Sequence, residues 1–272
     1  MSPKTIYVPK ISSTRIWAVV LRHVYLFPKS FDRLTDMIYW PIMDIVLWGF
    51  TTRWVQQQGS GTVQNVVLAI LTAMVFWQVV WRANYEVSVN LLEELWSANL
   101  VNMFATPLKP IEWVLALMTI GFLKMFVSVG VGVGAVWLLY SLNIFSIGWM
   151  MIPYVALLMF SGWFIGFLGA SLIMLGGTRI QTIAWTMGFL FAPFSAVYYP
   201  ITVLPNWAQT VARALPTTYV FEGMRSALLN GVFLWEYVVK SLVLGLIYLV
   251  LAICLFLWCC EKSREKGYVR LQ

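Results

Sequence analysis

The sequence is poor in charged residues and in the side chains that build metal or catalytic sites. Only 11% of its 272 residues are charged and 61% are hydrophobic, whereas soluble domains carry about 25% charged residues. It has three cysteines and one histidine, His23, which is too few to suggest converging metal ligands. No glycine is followed by lysine, so the nucleotide-binding loop G-x-x-x-x-G-K-[ST] is excluded. We expect no catalytic residues, no metal site and no bound cofactor.

Long uncharged stretches take the place of these features. No Asp, Glu, Lys or Arg occurs over residues 54–81, 125–178, 180–212 and 241–260, and about 20 apolar residues suffice to cross a bilayer. We therefore predict an all-α membrane protein with a transmembrane domain over residues 34–260. Its six predicted spans lie at about 34–54, 63–83, 111–139, 149–175, 180–197 and 238–260. Two glycine pairs, Gly130/Gly134 and Gly162/Gly166, have the spacing that lets membrane helices pack closely.

The basic residues indicate how these spans are oriented. The stretch 1–33 carries six of them, and Arg15, Arg22 and Lys29 are seven apart, which places them on one stripe of a helix. We interpret this stretch as an amphipathic interfacial helix, with a solvated basic tail as the alternative. With the basic tail 261–272 inside, thirteen basic residues lie on the predicted cytoplasmic side and four outside. This bias predicts that both termini are cytoplasmic and explains the net charge of +7 without nucleic acid.

Polar residues return between the second and third spans. Leucines and aromatics recur at steps of three and four over residues 87–105, which predicts a cytoplasmic helix. Within the spans, Asp36, Asp44 and Lys124 are charged, and such groups usually pair or line a wet cavity. We therefore predict an Asp44–Lys124 ion pair between the first and third spans. A structural pair and a proton or ion relay are both consistent with it.

Residues 198–232 form the most unusual segment, because Pro200, Pro205 and Pro216 break it between two apolar runs. It predicts an external re-entrant hairpin of two short helices, the second at about 219–230 and capped by Thr217 or Thr218. Glu222 and Arg225 are three apart and are expected to pair. The aromatic side chains Tyr198, Tyr199 and Trp207 are explained either by an interfacial belt or by stacking on a sugar or amphipathic substrate.

Two runs resemble a known family. Residues 191–231, FAPFSAVYYPITVLPNWAQTVARALPTTYVFEGMRSALLNG, and more weakly residues 91–110, LLEELWSANLVNMFATPLKP, are similar to the permease subunits of ABC type-2 exporters. That family includes O-antigen, teichoic-acid and capsule exporters and daunorubicin-type drug exporters. The resemblance covers nearly the whole chain.

The resemblance implies a homodimer in the inner (cytoplasmic) membrane that is driven by two separate ATPase subunits, which bind the ATP and Mg. The cargo would be amphipathic, with a lipid-linked glycan favoured and a drug or lipid as alternatives. The expected ATPase-coupling residues are Glu93, Glu94, Trp96, Asn99, Arg15 and Arg22. The expected external gate comprises Tyr198, Tyr199, Pro200, Pro205, Trp207, Pro216, Glu222 and Arg225. An ion-coupled secondary transporter and a membrane-embedded transferase are the alternative functions.

Overall fold

A computed structural model of the protein describes residues 11–27, 30–58 and 64–266, and every long element in these ranges is an α-helix. In chain order the helices are α1 Ser13–Leu26, α2 Phe31–Gln58, α3 Gln64–Trp96, α4 Leu100–Ala105, α5 Pro110–Tyr140, α6 Met151–Gly176, α7 Ile183–Phe191, α8 Asn206–Ala214, α9 Pro216–Asn230 and α10 Trp235–Lys266. Residues 1–10 and Lys29 of the predicted interfacial helix, and residues 267–272 of the basic tail, lie outside the described residues.

Four helices in the described part of the chain are long and apolar enough to cross a membrane. They cover Val67–Trp96, Pro110–Tyr140, Ile144–Ile180 and Trp235–Ser263. They overlap the predicted second, third, fourth and sixth spans, although the first of them runs 13 residues beyond the predicted end at 83. The predicted first span, 34–54, lies on α2, a 28-residue helix that includes Pro41. The predicted fifth span, 180–197, falls on a shorter apolar helical segment, Ile183–Phe194. The prediction of an all-helical fold is confirmed for the described residues, and the four long apolar helices are compatible with a membrane protein.

Close packing of α3 against α6 forms the centre of the molecule. A Cβ added at Gly162 would lie 2.6 Å from the backbone oxygen of Val80, and one at Gly166 would lie 3.0 Å from that of Asn84. These two glycines therefore allow the helix backbones to approach, as their spacing predicts. The other pair does not act in this way within the chain, since Gly130 and Gly134 have no atom within 4 Å of such a Cβ.

The contacts define two ends of the bundle. At the first, which we call the α1 end, the backbone N–H of Ser12 donates to Glu112 at the start of α5 (2.8 Å). At the second, the α8–α9 end, the Tyr248 hydroxyl donates to the carbonyl of Ala214 (3.0 Å). The guanidinium of Arg53 lies over the ring of Tyr140 near that second end.

The separate helix predicted over 87–105 is wrong. Residues 87–96 continue α3, and the chain turns only at Ser97–Asn99, where Ala98 has a positive φ of 51°. The helix continues because Leu91 and Leu92 are fully buried and no glycine or proline interrupts it before the turn. What remains beyond the turn is the six-residue α4.

The predicted pair of short helices between the last two apolar segments is confirmed as α8 and α9. Pro216 is the first residue of α9, a position that proline favours, so this helix begins three residues earlier than predicted. Thr217 and Thr218 do not cap it. Their hydroxyls donate to Ser195 Oγ (2.8 Å) and to the carbonyl of Phe194 (3.0 Å), which ties α9 to the preceding bend.

Candidate functional site

An aromatic cavity of about 630 Å³ lies between α2, α3 and α7. On α2 its lining includes Asp36, Trp40, Asp44 and Trp48, and their spacing of four places them on one face of the helix. We call this cavity the trench. Its full lining is Phe31, Thr35, Asp36, Trp40, Asp44, Trp48, Met74, Trp77, Gln78, Trp81, Tyr85, Trp185, Phe189 and Tyr198.

The trench is long and open on one side. From Phe31 to Trp48 it follows 18 residues of α2. At the rise of an α-helix they span about 26 Å, close to the ~30 Å thickness of a bilayer's hydrocarbon core. Trp48 stacks on Tyr198 with ring centroids 4.8 Å apart. Trp40 and Phe189 are 56% and 60% exposed, so the chain itself leaves the rim between α2 and α7 uncovered.

A network of four charges, two of them buried and two partly buried, lies beside the trench. Arg82 donates to Asp36 (2.8 Å) and to Glu86 (3.3 Å), and Lys124 donates to Glu86 (2.7 Å). The exposed fractions of Arg82 and Glu86 are 2% and 1%. Asn90 donates to the second oxygen of Glu86 (3.0 Å). Two positive and two negative groups therefore compensate one another, as buried charges require.

The predicted Asp44–Lys124 pair is wrong. Lys124 bonds to Glu86 because α3 packs directly against α5, whereas Asp44 points toward α3 and accepts a hydrogen bond from Gln78 (2.9 Å). Glu86 was not among the predicted intramembrane charges, because it lies between the predicted second span, which ended at about 83, and the cytoplasmic helix predicted from 87. The available signal was the spacing of four between Arg82, Glu86 and Asn90, which places three polar side chains on one face of the helix.

Ion pairs at the α1 end join the first helices to the rest of the bundle. Arg22 pairs with the buried Glu94 (2.8 Å) and Arg33 pairs with Glu93. We call these two pairs the α1 clamp. The structure thus brings together Arg22, Glu93 and Glu94, which were expected to couple to a partner, but it pairs the two carboxylates within the chain.

The other expected coupling residues also have partners here. Arg15 pairs with Glu112 (2.5 Å), and that hydrogen bond raises the pKa of Arg15. The Asn99 side chain donates to Glu94 (2.6 Å), and the Trp96 indole donates to Gln181 (3.1 Å).

His23 lies beside the α1 clamp and is 2% exposed. Neither of its ring nitrogens has a hydrogen-bond partner. Burial, with a smaller contribution from the positive charge of Lys124, lowers the pKa of His23 to about 4. The imidazole is therefore neutral at physiological pH.

At the α8–α9 end the predicted Glu222–Arg225 pair is present, at 2.9 Å. Glu222 also accepts the backbone N–H of Ile201 (2.8 Å), and Arg225 donates to the carbonyl of Ala196 (2.9 Å). Burial lowers the pKa of Arg225, partly offset by Glu222. The pair thus fixes the bend before α8 onto α9.

The remaining expected gate residues lie in different surroundings. Tyr198 is the one that lines the trench, whereas the Tyr199 hydroxyl donates to the carbonyl of Pro193 (3.0 Å). Trp207 is exposed and packs edge-on against Phe194. Of the three prolines, Pro200 and Pro205 are exposed and Pro216 is buried.

No model of a known protein family matches the chain, and no curated protein matches it. Among the described residues, no group of three or more His, Cys, Asp or Glu side chains is placed to hold a metal ion. The trench and the charge networks are therefore interpreted from their own chemistry.

Proposed function

We propose that the chain is the membrane permease subunit of an ATP-driven exporter. In this proposal two copies form the pathway, two separate ATPase subunits supply the energy, and an amphipathic cargo leaves the cytoplasm by alternating access. The chain would cross the cell membrane six times, with α2 and α7 as the first and fifth spans. The α1 end would face the cytoplasm and the α8–α9 end the outside.

The observation that carries the proposal is the trench. It is lined by rings from α2, α3 and α7, it follows α2 for about the thickness of the hydrocarbon core, and one side is open. A second copy placed against the exposed side chains of α2 and α7 would close it into a pathway. Aromatic side chains suit an amphipathic cargo, because their rings can stack on flat groups of the cargo and pack against its apolar part.

The charge networks support a route for coupling. Helix α3 is continuous from the trench residues Trp77 and Tyr85 to Glu93 and Glu94 of the α1 clamp. Because a helix moves as a rigid rod over this distance, a displacement imposed at the α1 end would reach the trench wall. The clamp and the Arg82–Asp36 pair link the same helix to α1 and α2, so these elements would move together.

The test is purification of the tagged chain from membranes of its own organism in a mild detergent, with bound proteins identified by mass spectrometry. We expect an ATPase subunit that carries a nucleotide-binding loop to accompany the chain. A matched preparation in which Arg22→Glu opposes Glu94 should retain less of that subunit, since the α1 end would be distorted. Absence of any such ATPase from the unmodified preparation would refute the proposal.

The buried charge network favours a second candidate, an ion-coupled transporter. Asp36, Arg82, Glu86 and Lys124 provide more intramembrane ionisable groups than the sequence suggested, and such groups often carry protons. Against this candidate, all four groups are paired with one another, as in a network that only stabilises the structure. Substrate movement driven by a pH gradient in vesicles without ATP would support this candidate over the first.

A further inference from the structure

We propose that the trench binds a positively charged, lipophilic group, with the Asp44 carboxylate as the opposite charge and tryptophan faces as the surrounding wall. The expected ligand class is an amphiphile that carries an ammonium or similar cationic head. The inference rests on the proposed function only where it treats this ligand as exported cargo. The binding site itself depends on the residues of the trench.

The charge of the trench is the first step. Asp36 is compensated by Arg82 at 2.8 Å. The hydrogen-bond partner of Asp44 is the neutral amide of Gln78, and no lysine or arginine lines the trench in the described part of the chain. Among the described lining residues, Asp44 is therefore a carboxyl group without a cationic partner, and its ionised form is unfavourable at membrane depth until a counter-charge arrives.

The aromatic residues around Asp44 form the second step. Trp40 and Trp48 lie one helical turn before and after it on the same face of α2, which places their Cβ atoms about 6 Å away. Trp77 adjoins Gln78 on the opposite wall. Tryptophan is the strongest cation–π partner among the side chains, and the attraction grows when the cation is desolvated.

The same features disfavour other ligands. A phosphate or carboxylate would meet Asp44 with no basic side chain among the described lining residues, and like charges repel strongly in a medium of low dielectric constant. A neutral sugar could stack on the rings but would leave the carboxylate uncompensated. The volume of about 630 Å³ lies within the range of roughly 300–1,000 Å³ that is typical of small-molecule sites.

Two ions of the same shape and opposite charge test the inference. The full chain in phosphatidylcholine nanodiscs is titrated with tetraphenylphosphonium and with tetraphenylborate, and binding is measured by equilibrium dialysis against empty nanodiscs. We expect saturable binding of the phosphonium above the empty-disc level and none of the borate. Equal saturable binding of both ions would overturn the proposal.

Variants then locate the site. Asp44→Asn should weaken phosphonium binding by at least about tenfold, since it removes the charge term, whereas Asp44→Glu should stay within a few-fold of the unmodified chain. Trp40→Leu should also weaken binding, whereas Trp137→Leu, which alters an exposed residue outside the trench, should not. Retained affinity in Asp44→Asn, checked for folding by gel filtration, would contradict the proposal. Because Asp44→Glu keeps the charge, loss of binding in both Asp44 variants would also contradict it.

The outcome is separable from that of the proposed function. Phosphonium binding at Asp44 without any ATPase partner would leave the cation site standing and refute the exporter. An ATPase partner together with no phosphonium binding would support the exporter and refute the cation site.

Discussion

Replacing Glu86 by glutamine removes one negative charge from a buried network without changing the shape of the side chain. Glu86 is 1% exposed and faces Lys124 at 2.7 Å and Arg82 at 3.3 Å. After the change, the network would hold two cations and one carboxylate, that of Asp36, which pairs with Arg82, and the Lys124–Glu86 ion pair would be lost. Removing one partner from a buried ion pair costs about 3–5 kcal/mol, because the remaining charge is left uncompensated.

The effect is measured as the apparent melting temperature of the protein in a fixed detergent. For a chain of this size about 1 kcal/mol corresponds to about 2–4 °C, so Glu86→Gln should lower the melting temperature by about 6–20 °C. The matched control is the double variant Glu86→Gln, Lys124→Met, which removes a whole pair and restores neutrality. It should recover a large part of the loss, as coupled neighbours do in a double-mutant cycle.

Two results would refute this reasoning. One is a Glu86→Gln protein as stable as the unmodified chain, which would mean that the network carries no compensated charge. The other concerns the single variants Glu86→Gln and Lys124→Met. If the double variant lowers the melting temperature by the sum of their separate effects, Glu86 and Lys124 do not interact.

Two further predictions concern packing and pH. Gly162→Ala should destabilise the protein by about 1–3 kcal/mol, because its Cβ would lie 2.6 Å from the backbone oxygen of Val80. The control, Gly130→Ala, should leave the melting temperature unchanged or slightly raised. Equal effects of the two substitutions on the melting temperature would contradict the packing of α3 on α6. Burial lowers the pKa of His23 from 6.5 to about 4. Between these pH values the unfolded chain therefore binds more protons than the folded one. The free energy of unfolding should fall by up to about 3 kcal/mol as the pH drops from about 6.5 to about 4. In His23→Leu this part of the pH dependence, followed by thermal unfolding at several pH values, should disappear, and its persistence would show that other groups cause it.

The apolar helices were predictable because their signal is local. The apolar spans predicted at about 111–139 and 238–260 agree with α5 and α10 to within a few residues at most boundaries, and Pro205 and Pro216 marked the breaks around α8. The Glu222–Arg225 pair also follows from spacing along a single helix. Such features depend on residues within one or two turns of one another.

The candidate site was less predictable because it depends on neighbours from other helices. Glu86 looks like a solvated residue until α5 brings Lys124 to it, and the predicted partner of Asp44 was Lys124, whereas α3 places Gln78 beside it. The trench residues of α2 share a visible spacing of four, but nothing in that spacing shows that Trp77 and Phe189 line the opposite wall. Equally, the two glycine pairs have the same spacing, yet one faces α3 and the other faces open space.

The subunit composition of the protein purified from its own membrane tests the central claim most directly. Native mass spectrometry of that preparation should show two copies of the 31.1 kDa chain together with two ATPase subunits. The vanadate-sensitive ATP hydrolysis of this complex should be lost when the ATPase is stripped away. A preparation that contains the chain alone, as a monomer or dimer with no nucleotide-binding partner, would contradict the account.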